Sequence, residues 1–161
     1  LGVGNTRAGW LFIGEAPGAE EDRQGEPFVG RAGQLLNAML RAMGLAREQV
    51  YIANILKCRP PGNRDPNPEE ARECEAYLQR QVALVQPKII VALGRIAAQN
   101  LLRTDATLAR LRGKVHHYGV TGTPLVVTYH PAYLLRNLPD KAKAWEDLRF
   151  ALRLYQEGNA E

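Results

Sequence analysis

At 161 residues, with 45% hydrophobic and 24% charged residues, the chain is long enough for one globular domain with a sizeable core. No apolar run approaches the ~18–20 residues of a membrane span, and no signal peptide is visible. A net charge of +4, from 21 basic and 17 acidic residues, is compatible with a polyanionic partner, and two cysteines argue against a disulfide framework and for a cytoplasmic setting.

Residue 1 is Leu, so an N-terminal segment is expected to be missing. The first predicted strand is Trp10-Leu11-Phe12-Ile13, an apolar run closed by the turn Gly14-Glu15-Ala16-Pro17-Gly18. That turn sets a carboxylate and free backbone N–H groups at a strand's C-terminal end, the edge where α/β sheets bind ligands. A charged, Gly-rich loop from Ala19 to Arg31 leads to a helix over Gly33 to Met43. Leu35, Leu36, Met39, Leu40 and Met43 mark one face of that helix, and Gly44 is its stop. Val50 to Leu56 is the second strand.

Four prolines forbid helix in the loop Lys57 to Pro68. Asn67, Pro68 and Glu70 then form a helix start with a capping box, and the helix runs to about Val85. Ile89 to Leu93 is a third strand, followed by Gly94 and a helix over Ile96 to Leu102. Lys114 to Tyr118 and Leu125 to Tyr129 read as two further strands around the turn Gly119 to Thr123. His130-Pro131 ends the last strand, with the apolar trio Tyr133, Leu134 and Leu135 behind it, poorly placed for a core. The final helix spans about Lys141 to Tyr155. Strands alternate with helices throughout. The expected fold is therefore a single α/β domain over residues 1–161, a three-layer α/β/α sandwich with a mostly parallel central sheet. A polar strand-end turn and a histidine with an apolar wedge together imply a pocket for a polar ring.

The strand-end segments, taken in order, are Gly14 to Gly18, Gly25-Glu26-Pro27-Phe28-Val29-Gly30-Arg31-Ala32-Gly33, Asn54 to Pro61, Val91-Ala92-Leu93-Gly94, and His130 to Arg136. This set closely resembles the family-four uracil-DNA glycosylases, which carry an iron–sulfur cluster. The resemblance covers about Trp10 to Leu154. It implies hydrolysis of the N-glycosidic bond between uracil and deoxyribose in base-excision repair, on uracil-containing DNA, single- or double-stranded, by a monomer. Phe28 would supply a stacking face for the extruded base. Asn54 would read the base, accepting from uracil N3–H and donating to O4, a pattern that cytosine inverts. His130 would donate to uracil O2 as negative charge builds on the leaving base.

Position 16 is Ala where the family-one enzymes have an aspartate, so Ala16 would line the pocket without acting on water. Glu15 and Glu21 are the nearest carboxylates for orienting water, Glu15 the better placed, and Asn63 matches a family position near the pocket. Leu134 or Leu135 would fill the hole left by the flipped base. Backbone N–H groups at Gly30 to Gly33 and Gly94 to Arg95, with Arg31, Arg95, Lys114 and Arg136, would serve phosphates.

The family's 4Fe–4S cluster is held by four cysteines, of which Cys58 and Cys74, sixteen positions apart, match two. The other two are absent from this chain, so the cluster is expected to be absent or incomplete here. A related branch that forms a covalent adduct through a loop histidine is disfavoured, because Arg59 to Pro68 contains none. Two alternatives stand beside the enzyme. One is a non-catalytic nucleic-acid binding module of the same fold, of the kind related to phage DNA polymerase. The other is a small-molecule nucleotide binder, disfavoured by the apolar wedge and by the lack of a Gly-x-Gly-x-x-Gly or P-loop pattern.

Overall fold

The computed structural model describes residues 2–4, 7–14, 30–55, 67–119 and 121–159. Its strands are β1 (Gly2–Gly4), β2 (Trp10–Gly14), β3 (Val50–Asn54), β4 (Ile89–Leu93), β5 (His116–His117) and β6 (Pro124–Thr128). Its α-helices are α1 (Arg31–Ala42), α2 (Pro68–Val85), α3 (Arg95–Leu102), α4 (Leu108–Leu111), α5 (Pro131–Arg136) and α6 (Lys141–Asn159). The strands form one sheet in the order β1-β3-β2-β4-β6-β5. The four inner strands are parallel, and the short edges β1 and β5 run antiparallel to their neighbours.

β2 and β4 are buried along all five residues, which is why their sequences are apolar without alternation. Strand pleating divides those side chains between two layers. Leu11, Ile13, Ile90, Ala92, Leu125 and Val127 meet Leu78 and Val82 of α2 and Ala98 and Leu101 of α3 on one face. Trp10, Phe12, Ile52, Val91 and Val126 meet Leu36 and Leu40 of α1 and Leu148 and Ala151 of α6 on the other. The expected α/β/α layering follows from this division.

The α2 start has the capping box expected of it. Asn67 Oδ1 accepts from the Glu70 N–H at 2.8 Å, and Glu70 Oε1 accepts from the Asn67 N–H at 3.0 Å. Gly44, just past α1, has φ +78, the left-handed residue that ends a helix.

Several expectations need correction. The strand predicted over Lys114 to Tyr118 shrinks to His116–His117, because only two residues reach register with β6. α1 begins at Arg31 rather than Gly33, and α6 runs four residues beyond Tyr155. β1, α4 and α5 were not anticipated. β1 is Gly-Val-Gly, too short to show a period. α4 follows Thr107, whose hydroxyl accepts from the Arg110 N–H, and α5 carries Pro131 at its first position, so both had legible start signals. Among the described residues no helix is long and apolar enough to cross a membrane.

Candidate active site

The C-terminal ends of the parallel strands share one edge. Gly14 of β2 sits in register with Asn54 of β3 on one side and Leu93 of β4 on the other, and Leu93 pairs with Thr128 of β6. The chain leaves β2 for β3 through α1, then crosses back past β2 to β4 through α2. β2 is therefore the topological switch point, where open α/β sheets place their ligand crevice. The edge brings Asn54, Gly94 and His130 onto the side that carries Gly14. Glu15, Ala16, Glu21, Phe28, Asn63 and Cys58 lie outside the described residues.

His130 caps α5. Its Nδ1 accepts from the Ala132 N–H at 3.0 Å. A nitrogen that accepts carries no proton, so the neutral ring holds its proton on Nε2, and Nε2 is the donor. Gly94 packs close to the His130 backbone and Cβ. A Cβ at Gly94 would stand 3.0 Å from His130 Cβ, and its φ of +98 is one that L side chains rarely adopt. The Gly94 N–H donates to the Thr128 carbonyl at 2.8 Å, so, contrary to expectation, it is not available to a phosphate.

Two wedge expectations change. α5 packs on α1 and turns Leu134 inward, where it is 1% exposed. Leu135 is half-buried, and the exposed leucine of this segment is Leu138, at 58%. The trio is therefore not an exposed patch: a helix of this segment must have an inner side, and Leu134 is on it. Of the proposed phosphate cations, Arg31, Arg95, Lys114 and Arg136 are all exposed.

Behind His130 lies a cluster that the sequence reading missed. Asp147 of α6, 3% exposed, receives the Arg112 guanidinium in a fork: Nε at 2.8 Å from Oδ2 and Nη2 at 3.1 Å from Oδ1. The Thr128 hydroxyl, wholly buried, donates to Oδ2 at 2.7 Å. Arg112 lies over the Tyr129 ring at 4.8 Å, Tyr129 stacks on Tyr133 at 5.1 Å, and the Tyr133 hydroxyl donates to Asp140 Oδ2 at 2.5 Å. Burial pushes the Asp147 carboxyl above its ordinary range, against the pull of the hydrogen bonds from Arg112 and Thr128. One signal was available. Asp147 falls on the helical stripe Ala144, Leu148, Ala151, where a buried apolar residue belongs.

Cys74, the described member of the cysteine pair, lies on α2. It is 4% exposed, with Sγ 3.5 Å from Asn100 Oδ1, and it is one described cysteine where a four-iron cluster takes four thiolates. Among the described residues no three His, Cys, Asp or Glu side chains converge to hold a metal ion, and the whole chain has two cysteines.

Residues 1–149 match the model of the uracil DNA glycosylase superfamily. The type-4 uracil-DNA glycosylase of Archaeoglobus fulgidus is 52% identical over 140 residues, 83% of this chain and 70% of that protein. Type-4 uracil-DNA glycosylases of Saccharolobus solfataricus and Thermotoga maritima are 43% and 45% identical, over 92% and 85% of this chain and 72% and 71% of theirs.

Proposed function

The chain belongs to the uracil DNA glycosylase superfamily, and from that membership we infer that it hydrolyses the N-glycosidic bond of deoxyuridine in DNA, releasing uracil for base-excision repair. It is a DNA glycosylase, a hydrolase acting on N-glycosyl bonds. The reading covers one domain, working as a monomer in the cytoplasm on uracil in single- or double-stranded DNA. The observation that carries it is His130: a ring with its proton assigned to Nε2 by a backbone N–H, on a residue whose Cβ packs close to Gly94 at the C-terminal edge of the parallel strands.

The bond between deoxyribose C1′ and uracil N1 breaks heterolytically. Its electron pair goes to the base, and the charge spreads to O2 and O4. A donor at O2 is worth most once that charge has formed, so His130 would act on the transition state more than on the bound base. A neutral donor suits this task. It requires no proton to be moved, and it leaves uracil as an anion that is protonated on release. Water adds its oxygen to C1′ and gives up a proton. Glu15, Glu21 and Asn63 are the residues we assign to orienting that water. Asn54 reads the uracil edge and Phe28 stacks on the extruded ring, with Ala16 beside it. Of the two wedge leucines, Leu135 is the better placed to leave the protein surface, because Leu134 is packed inside.

No step here runs through an iron–sulfur cluster. Cys58 and Cys74 supply half of a four-thiolate set, and the chain is expected to hold such a group incompletely or not at all.

The test is cleavage of a uracil-containing oligonucleotide, revealed by alkali at the abasic site. Wild type should cut at uracil and leave thymine and cytosine intact. His130→Ala should lower the single-turnover rate by about 10²–10³ with little change in binding. No cutting at uracil would leave the non-catalytic DNA-binding reading. A His130→Ala defect found wholly in binding would make His130 an anchor.

A further inference from the structure

The structure assigns Arg112 and Asp147 as positioning residues for His130, acting through a clamp on the chain immediately around it. The inference rests on the role given to His130 above.

The clamp closes on three residues of one short segment. Thr128, two positions before His130, is tied by its hydroxyl to Asp147 Oδ2 at 2.7 Å and by its carbonyl to the Gly94 N–H at 2.8 Å. Tyr129, one position before, lies under the Arg112 guanidinium at 4.8 Å. Tyr133, three positions after, stacks on Tyr129 with rings 9° from parallel. Arg112 is anchored in turn by the fork to Asp147 and by Nη2 donating to the Lys143 carbonyl at 3.2 Å. The end of α4, the residue just past β6 and the first turns of α6 thus meet at one guanidinium, and α5 joins them through the Tyr129–Tyr133 stack.

The choice of residues argues for positioning rather than stability. The Asp147 and Arg112 side chains are 4% and 17% exposed, and burying an ion pair recovers little or nothing relative to a well-packed apolar cluster of the same volume. A planar, bidentate, stacked cation instead fixes direction: the fork sets the guanidinium plane, and that plane sets the Tyr129 ring. Stabilising a leaving anion needs its donor held within a fraction of an ångström, and such precision comes from locked neighbours.

The experiment compares wild type, Arg112→Lys and Tyr129→Leu, each with and without His130→Ala. It measures single-turnover cleavage of a uracil oligonucleotide and Kd for the same oligonucleotide carrying non-cleavable 2′-fluorodeoxyuridine. Circular dichroism melts accompany each variant. Lysine keeps the charge of Arg112 but neither the fork nor the plane. Arg112→Lys is expected to lower the rate about tenfold or more while Kd stays within about twofold. In the His130→Ala background it should cost nothing further, because a positioning residue has no effect once the residue it positions is gone. Tyr129→Leu should follow the same pattern, and it decides the matter if Arg112→Lys fails to fold. An equal loss in both backgrounds, a loss confined to Kd, or no loss at all overturns the clamp. A wild-type chain that does not cut at uracil overturns the glycosylase reading and the clamp with it. A wild type that cuts, with Arg112→Lys uncoupled from His130, overturns the clamp alone.

Discussion

Two glycines with positive φ show how differently one residue type is used. Gly44 at φ +78 and Gly94 at φ +98 both occupy backbone conformations that favour glycine. An added Cβ at Gly44 meets nothing within 4 Å, whereas at Gly94 it meets His130 Cβ at 3.0 Å. Gly44→Ala should therefore cost only backbone strain, about 1 kcal/mol, seen as a small drop in Tm with the cleavage rate unchanged. Gly94→Ala should pay that strain and also push His130 aside, lowering single-turnover cleavage about tenfold or more. Equal rates for the two variants would show that the Gly94 contact does not set the position of His130. The tautomer belongs to this scale as well. The Ala132 N–H assigns the proton to Nε2 because α5 starts at Pro131, and a helix start must satisfy its first N–H groups.

The element that matters most is α5, six residues between the last strand and the 3-10 turn Leu138–Asp140. Its inner side carries Leu134, so Leu134→Ala should destabilise the fold by about 2–5 kcal/mol, measured by denaturant unfolding. Leu135→Ala should leave stability near wild type and reduce cleavage in duplex DNA more than in single strands, which have little stack to fill. If Leu135→Ala affected both substrates equally, the wedge would have to be sought elsewhere, with exposed Leu138 next. The far end of the segment is fastened by Tyr133 and Asp140. Their hydrogen bond holds Asp140 below the ordinary carboxylate value of 3.8 and Tyr133 above the ordinary 10.0. A lowered carboxylate pKa contributes stability that is present above 3.8 and lost as pH falls through the lowered value. A raised phenol pKa contributes stability that is present below 10.0 and lost as pH rises through the raised value. The Tm difference between wild type and Tyr133→Phe should thus be flat from about pH 5 to about pH 9 and close at both extremes. A difference that widened toward acid would remove this bond from the account.

At the scale of the whole molecule, one sheet edge gathers what the chain scatters over more than a hundred residues, from Gly14 to Asp147. The cofactor is tested separately. This 161-residue chain, purified as it stands, is expected to hold well under one four-iron cluster, measured by iron and sulfide content and visible absorbance. Four irons and four sulfides per chain would show that other residues or a second copy complete the ligand set. What the sequence determined by itself was local or periodic. The apolar runs of β2 and β4 announced buried parallel strands. Asn67, Pro68 and Glu70 announced a capped helix. The spaced strand-end motifs pointed to the family, and His130 stood out because a histidine and a proline closed a strand. Each of these is encoded within a few residues by burial period, turn chemistry or cap geometry. Only the tertiary structure decided that Leu134 faces inward, that Gly94 serves His130 rather than a phosphate, and that Arg112, Tyr129 and Asp147 stand behind the site. Those facts depend on contacts between residues as far apart as Arg112 and Asp147. Such contacts exist only once the helices have packed on the sheet, and no period or spacing along the chain encodes them.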